Sequence, residues 1–136
     1  MTGSRTPRAT VLVIDDDATT CETFRYMLMA EGYGVRTEAN VDAGLVSAAS
    51  EMPDAILLDL HMPMVGGVEC VRRLRANDEW AAIPVAIVTG DYFLDELVAG
   101  ELRERGVRIY FKPVWVEDLR RIVQELLSSV HAGHPR

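Results

Sequence analysis

Residues 11–17 read Val-Leu-Val-Ile-Asp-Asp-Asp, a continuous apolar run that ends in three carboxylates. Three later runs have the same form, with a reactive polar residue at the end: Ala55–Leu58 before Asp59, Val85–Val88 before Thr89, and Ile109–Phe111 before Lys112. Short continuous apolar runs are typical of strands that are buried on both faces of a parallel sheet. Because parallel strands end at one edge of the sheet, these polar groups are predicted to share one crevice.

Five runs that are predicted to be strands alternate with stretches whose apolar residues recur at helical spacing. The runs lie near residues 10–14, 34–38, 54–59, 84–88 and 107–112. The alternation of strands and helices predicts an α/β fold. Right-handed connections with one reversal of strand order make its sheet doubly wound. The expected form is a flavodoxin-like, doubly wound, five-stranded parallel sheet of order 2-1-3-4-5 with five helices. That order sets the first strand beside the third and makes neighbours of Asp15, Asp16 and Asp59.

Composition predicts one folded domain over residues 9–130, with a flexible N-terminal arm over 1–8 and a frayed tail over 131–136. No apolar stretch of the 136 residues approaches the roughly 20 that a bilayer span needs, so no membrane association is expected. The net charge of −7 comes without a basic stripe, which argues against direct nucleic-acid binding. Cys21 and Cys70 lie far apart in the sequence and predict buried thiols in a reducing cytoplasm.

The predicted crevice has a composition that suits phosphoryl chemistry. Three adjacent carboxylates repel one another unless a cation intervenes, and an all-oxygen site favours Mg²⁺. A carboxylate beside such an ion is a competent nucleophile toward phosphorus and forms an acyl phosphate. Thr89 could bond a phosphoryl oxygen, and Lys112, the only lysine in the chain, would offset its charge.

The sequence resembles the receiver domain of two-component response regulators. Within that family it resembles the chemotaxis-regulator-like proteins that consist of a single receiver domain. The matching stretches follow in order: residues 11–17, 54–63 with Gly67, 84–90 and 111–113. Together the four motifs are specific, and the resemblance covers residues 9–130.

The resemblance implies that Asp59 accepts a phosphoryl group from a histidine kinase or a phosphotransfer protein. It also implies that Asp16, Asp59 and the main-chain carbonyl of His61 bind Mg²⁺, or Mn²⁺ in its place. Asp15 would act on the metal mainly through water.

The resemblance further implies that Thr89 and Lys112 contact the phosphoryl group and that the Lys112–Pro113 bond is cis. The protein would be a cytoplasmic switch rather than an enzyme, limited to self-phosphorylation and slow self-dephosphorylation. The fourth helix, fifth strand and fifth helix would form the switching face and a homodimer interface, and the kinase would dock near the first helix. The His61 side chain would tune access to the phosphoryl group, and Asp91 would influence its lifetime.

Two positions depart from the family pattern. Receivers usually carry Tyr or Phe three residues before the lysine, where this chain has Ile109 followed by Tyr110. Because strand side chains alternate faces, Tyr110 should not substitute for the missing ring unless the register of the strand slips. Gly66 stands where relatives often have an acidic residue.

Two other functions fit parts of the sequence. Residues 15–19 also match Asp-x-Asp-x-Thr, the motif of haloacid-dehalogenase-like phosphatases, with Asp15 as nucleophile and Asp17 as general acid. That assignment leaves the Asp59 loop unexplained and lacks an acidic pair after the lysine. The second alternative is a receiver-like adaptor in which Ile109 impairs switching.

Overall fold

The computed structural model describes residues 8–132 and has the predicted topology. One parallel sheet has the strand order β2-β1-β3-β4-β5. The strands are β1 (Thr10–Ile14), β2 (Gly34–Glu38), β3 (Ala55–Leu58), β4 (Val85–Thr89) and β5 (Arg108–Phe111). The helices are α1 (Ala18–Ala30), α2 (Val41–Ser50), α3 (Gly67–Ala76), α4 (Glu96–Glu104) and α5 (Val116–Ala132). The flavodoxin-like prediction is therefore confirmed.

The strand register brings the predicted polar groups to one edge. Ile14 pairs with Leu58, so the residues that follow them, Asp15 and Asp59, leave neighbouring strands together. At the other side, Thr89 pairs with Phe111. The chain then continues into Lys112, whose N–H donates to the Thr89 carbonyl at 2.8 Å.

Helices cover both faces of the sheet, so the core forms two layers. Residues from α2, α3 and α4 pack on one face, and residues from α1 and α5 pack on the other. The strands β1, β3 and β4 are almost wholly buried, as their continuous apolar runs predict. The outer strands β2 and β5 are only partly covered, because each has a neighbouring strand on one side alone.

Ile109 and Tyr110 lie on opposite faces of β5, as strand alternation requires. Ile109 packs against the layer that includes α3 and α4, and Tyr110 packs against the α1 and α5 layer. The Tyr110 hydroxyl donates to Glu125 Oε1 at 3.0 Å. Tyr110 therefore lies on the face of β5 opposite to Ile109, as strand alternation predicts.

The predicted arm and tail lie almost entirely outside the described residues. At the inner end of the arm, the Arg8 guanidinium donates to the Glu31 carbonyl at 3.1 Å and lies over the Tyr33 ring. At the other end, α5 continues to Ala132, two residues into the segment predicted as a tail. Within the described part of the chain, no helix has the length and apolarity to span a membrane.

Two helical glycines predict opposite effects on stability. A Cβ at Gly67 would lie 2.6 Å from the Asp59 carbonyl oxygen, whereas a Cβ at Gly100 meets nothing within 4 Å. We expect Gly67→Ala to destabilise the fold by about 1–3 kcal/mol, because backbone must move to admit the methyl group. Gly100→Ala, inside α4, should stabilise it by about 0.5–1 kcal/mol. Urea unfolding of both variants tests the pair, and equal effects would contradict the close approach at Gly67.

Candidate functional site

Three carboxylates meet at the carboxyl edge of the sheet. One oxygen from each of Asp15, Asp16 and Asp59 lies within 4.8 Å of the other two. Asp15 follows β1 and is buried, with 4% of its surface exposed, while Asp16 faces solvent. The structure therefore brings together the cluster that the sequence predicts.

Local hydrogen bonds separate the third aspartate of the run from this cluster. Asp17 caps α1, accepting from the Thr19 N–H at 3.0 Å and from the Thr20 hydroxyl at 3.1 Å. These bonds hold the pKa of Asp17 below its ordinary value, with the Thr20 hydroxyl as the largest cause. Asp15 is held differently, because its Oδ1 accepts from the Asp17 N–H at 2.9 Å and its carbonyl accepts from the Cys21 thiol at 3.2 Å. Asp17 is thus committed to a helix cap and is poorly placed to act as a general acid.

Lys112 supplies positive charge to the cluster. Its Nζ donates to Asp15 Oδ2 at 3.2 Å and lies 3.6 Å from Asp59 Oδ1. Burial lowers the pKa of Lys112, but the carboxylates of Asp15 and Asp59 outweigh burial and leave it raised. The ammonium therefore stays charged at neutral pH, and the Lys112–Pro113 bond that follows is cis, as predicted.

The charge of the cluster is only partly balanced. Burial raises the pKa of Asp59, and the neighbouring charge of Asp15 raises it further, while Lys112 opposes both. Three carboxylates facing one ammonium leave net negative charge in a site made of oxygen ligands. Hard divalent cations prefer such a donor set, so the residues present fit a bound metal ion.

Removing the Asp59 charge is expected to stabilise the metal-free protein. A carboxyl group with a raised folded-state pKa costs stability once it ionises, and this cost vanishes below its unfolded-state pKa. In EDTA at pH 7, Asp59→Asn should therefore melt roughly 3–5 °C higher than the wild type, the shift that about 1 kcal/mol produces in a domain of this size. The difference should shrink as the pH falls below 4, the ordinary carboxyl range.

The matched control is Asp54→Asn, which changes an exposed carboxylate at the opposite end of β3. Asp54 accepts from the Thr10 N–H at 2.8 Å, a bond that the amide oxygen of asparagine can keep. Scanning calorimetry should show no rise in melting temperature for this variant. A melting temperature for Asp59→Asn at or below that of wild type would contradict the charge imbalance.

Thr89 ends β4 beside the cluster and is buried, with 1% of its surface exposed. Its Oγ1 accepts from the Asp91 N–H at 3.0 Å. This bond leaves the hydroxyl hydrogen free to be donated elsewhere, and the adjacent Gly90 borders open space, since a Cβ there would meet nothing within 4 Å.

Two side-chain bonds around the site were not foreseen from the sequence. His61 Nε2 and Asp91 Oδ2 are 2.8 Å apart, and the bond holds the pKa of Asp91 below its ordinary value. The Tyr92 hydroxyl donates to the Lys112 carbonyl, and its ring packs against Phe111. The sequence offered one signal for the first bond. His61 lies two residues after Asp59 and Asp91 lies two residues after Thr89, and the strands β3 and β4 that precede these loops are neighbours.

Comparison with known proteins identifies the class. The family profile of the response regulator receiver domain matches residues 11–124, so the chain belongs to this family of two-component signalling domains. Protein PilH of Pseudomonas aeruginosa is 34% identical over 122 residues, which cover 89% of this chain and 99% of PilH. The transcriptional regulatory protein PrrA of Mycobacterium tuberculosis is 37% identical over 127 residues, or 93% of this chain. The chain spans about half of PrrA, 52% of its length.

Solved structures agree with this assignment. CheY4 of Vibrio cholerae superposes with a TM-score of 0.80 and 27% identity, covering 88% of this chain and 98% of CheY4. A CheY-like receiver domain protein from Methanospirillum hungatei has a TM-score of 0.83 at 24% identity, covering 93% of this chain and 98% of that protein, and it supports the fold. The chain is therefore a signalling switch domain, and neither the phosphatase nor the passive adaptor is favoured.

Proposed function

We propose that Asp59 is the phosphoacceptor of a phosphorelay and takes its phosphoryl group from a histidine kinase or a phosphotransfer protein in a Mg²⁺-dependent reaction. The observation that carries this proposal is the convergence of three carboxylate oxygens within 4.8 Å, with Lys112 Nζ 3.6 Å from Asp59. Asp16, Asp59 and the His61 carbonyl would hold the ion, and Asp15 would reach it through water. Bound there, Mg²⁺ or Mn²⁺ would neutralise charge on the phosphoryl oxygens.

In the transfer step, an Asp59 carboxylate oxygen attacks phosphorus in line with the bond that breaks. The phosphorus–nitrogen bond of the donor phosphohistidine breaks, and its electron pair returns to the imidazole ring. The main requirement of this reaction is stabilisation of the negative charge on the transferred phosphoryl oxygens. The Lys112 ammonium supplies part of this stabilisation, and the free Thr89 hydroxyl hydrogen can be donated to a phosphoryl oxygen.

These new bonds would bias the protein between two packings of the β4–α4 region. A ligand shifts such an equilibrium only by binding one state more strongly, and here Thr89 and Lys112 would bind the phosphoryl group in the active state. Beyond this switching, turnover would be limited to self-phosphorylation and slow self-dephosphorylation.

The α4, β5 and α5 face is the proposed partner surface, including a homodimer interface. Large apolar side chains are exposed where α4 meets β5: Tyr92, Phe93, Leu97 and Phe111. Phe93 is 95% exposed, and beside it a cleft of about 540 Å³ is lined in part by Ile109. Exposed apolar clusters of this kind mark interaction sites.

The donor protein is proposed to dock beside α1. A shallow cleft of about 270 Å³ lies between Thr19, Thr20 and Thr23 of α1 and residues 112–114, next to the Asp15–Lys112 pair. The free, buried cysteines Cys21 and Cys70 fit the cytoplasmic location that the sequence predicts.

Labelling with a small phosphodonor tests the proposal. We expect acetyl phosphate with Mg²⁺ to add one phosphoryl group, which peptide mass spectrometry after borohydride reduction should locate at Asp59. EDTA should reduce labelling to background, and Mn²⁺ should restore it. Metal-independent labelling, or labelling at another residue, would overturn the assignment.

A further inference from the structure

A cluster of arginines around one carboxylate joins α4 to α3 at the surface of the domain. The Arg72 guanidinium of α3 donates to both oxygens of Glu101 in α4, from Nε at 2.7 Å and from Nη2 at 2.9 Å. Arg105, which follows the last turn of α4, donates to the same carboxylate at 3.0 Å. The hydrogen bonds from Arg72 lower the pKa of Glu101 to about 2, and the bond from Arg105 contributes. Glu101 is therefore ionised at neutral pH and shared by two cations.

A second arginine of α3 holds the C-terminal end of the same helix. Arg75 Nε donates to the Arg105 carbonyl at 2.8 Å. Its Nη1 donates to the carbonyls of Ala81 and Ile83, at 3.1 Å and 2.8 Å, in the segment that leads into β4. The end of α4 is thus linked both to α3 and to the start of β4. We call these contacts the α3–α4 clamp, which is formed by four side chains: Arg72, Arg75, Glu101 and Arg105.

The two halves of α4 are held differently. Residues 92–98 all keep part of their surface exposed, and Phe93 and Leu97 are 95% and 84% exposed. The buried residues of α4, Ala99 and Leu102, lie C-terminal to this stretch. Burial and ion pairs therefore both act on the C-terminal half of the helix, whereas residues 92–98 are only partly covered.

We propose that the α3–α4 clamp is a pivot, which keeps residues 101–105 on α3 while rearrangement of the β4–α4 region moves residues 92–98. The moving stretch carries Phe93 and Leu97, so the change in the partner surface is confined to the N-terminal end of α4. Isolated surface ion pairs contribute little, but a bidentate guanidinium–carboxylate pair within a network joins two elements more firmly. The clamp is a property of the unmodified protein, whereas the confinement of the switch rests on the proposed phosphorylation of Asp59.

Hydrogen exchange tests the clamp in the unmodified protein. Glu101→Ala removes the shared carboxylate, and we expect the amides of residues 101–107 to exchange about 2- to 5-fold faster, the range that surface ion pairs support. Alanine is a better helix former than glutamate, so faster exchange would report lost contacts with α3 rather than a weaker helix. Adding Arg72→Ala to this variant should speed exchange no further, because the pair is already broken.

Glu104→Ala is the matched control, because it makes the same change in the same helix. Glu104 is exposed and forms no ion pair with any residue that the structure describes. We expect its exchange rates to stay within about 2-fold of wild type. Equal acceleration in this control, or no acceleration in Glu101→Ala, would overturn the clamp.

Beryllofluoride with Mg²⁺, a mimic of the phosphoryl group, tests the pivot by NMR. In wild type, its addition should shift the amide resonances of residues 90–98 strongly and those of residues 101–105 little. In Glu101→Ala, the shifts should spread into residues 101–105. Strong shifts over residues 101–105 in wild type, or the same pattern in both proteins, would overturn the pivot. If no amide near Asp59 shifts, the proposed function fails and the pivot fails with it, while the hydrogen-exchange result for the clamp stands by itself.

Discussion

Asp59→Asn is expected to abolish phosphoryl acceptance from acetyl phosphate under conditions that label wild type fully. The amide nitrogen and oxygen of asparagine are poor nucleophiles toward phosphorus, and the variant also loses a charged oxygen from the cluster within 4.8 Å. Loss of a covalent nucleophile typically lowers such a rate by at least about 10³-fold. Intact-mass spectrometry over a time course in Mg²⁺ measures the effect directly.

Two further substitutions make this result specific. Asp54→Asn, the same change at the opposite end of β3, should label like wild type. Asp15→Asn should label slowly but still at Asp59, because Asp15 supports the metal and Lys112 without attacking phosphorus. Labelling that persists in Asp59→Asn and disappears in Asp15→Asn would refute the proposal and restore the phosphatase alternative.

Lys112→Met is expected to lower the rate of phosphorylation by about 10²- to 10³-fold, as loss of one preorganised charge-stabilising donor does in comparable sites. The Nζ lies 3.2 Å from Asp15 and 3.6 Å from Asp59, so its removal also leaves two carboxylates without their nearest cation. Stopped-flow labelling at saturating Mg²⁺ should show the loss. Methionine preserves most of the side-chain length, which limits the contribution of lost packing.

Arg108→Met is the matched control for Lys112, because it removes a cation from β5, the edge strand that Lys112 directly follows. Arg108 Nη1 lies 3.6 Å from Glu125 on the surface and takes no part in the acidic cluster. We expect its labelling rate to stay within about 2-fold of wild type, in keeping with the small energies of exposed ion pairs. Equal effects of the two substitutions would show that Lys112 acts through general electrostatics rather than at the phosphoryl group.

Much of the fold was predictable because the decisive signals are local. Apolar runs such as residues 11–14 and 55–58 had the length and continuity of buried parallel strands, and their terminal polar residues pointed to one edge. Among doubly wound sheets, the order 2-1-3-4-5 was selected because it sets the first strand beside the third and so brings Asp15 and Asp16 next to Asp59. The partial exposure of β2 and β5 was less evident, since burial at an edge depends on what packs alongside.

The residues of the functional site could likewise be predicted where the signal is local. The strand ends converge by topology, and the sequence places a polar residue at or just after the end of four strands. On this basis the site residues could be selected from the sequence: Asp15, Asp16, Asp59, Thr89 and Lys112. Negative charge is favoured at a helix N-terminus, so the sequence predicted that Asp17 serves the start of α1 or a solvated loop rather than the acidic cluster. Its capping bonds to Thr19 and Thr20, seen in the structure, remove it from the cluster.

What the sequence determined by itself is the position of the strands along the chain and the identity of the groups at their ends, because periodicity and chain connectivity decide both. Only the tertiary structure decided how side chains from separate loops pair. The His61–Asp91 hydrogen bond joins residues 30 positions apart, and the contact between Lys112 and Asp15 joins residues 97 positions apart. Such bonds depend on loop paths and side-chain rotamers, which are settled by packing of the whole domain rather than by any local pattern.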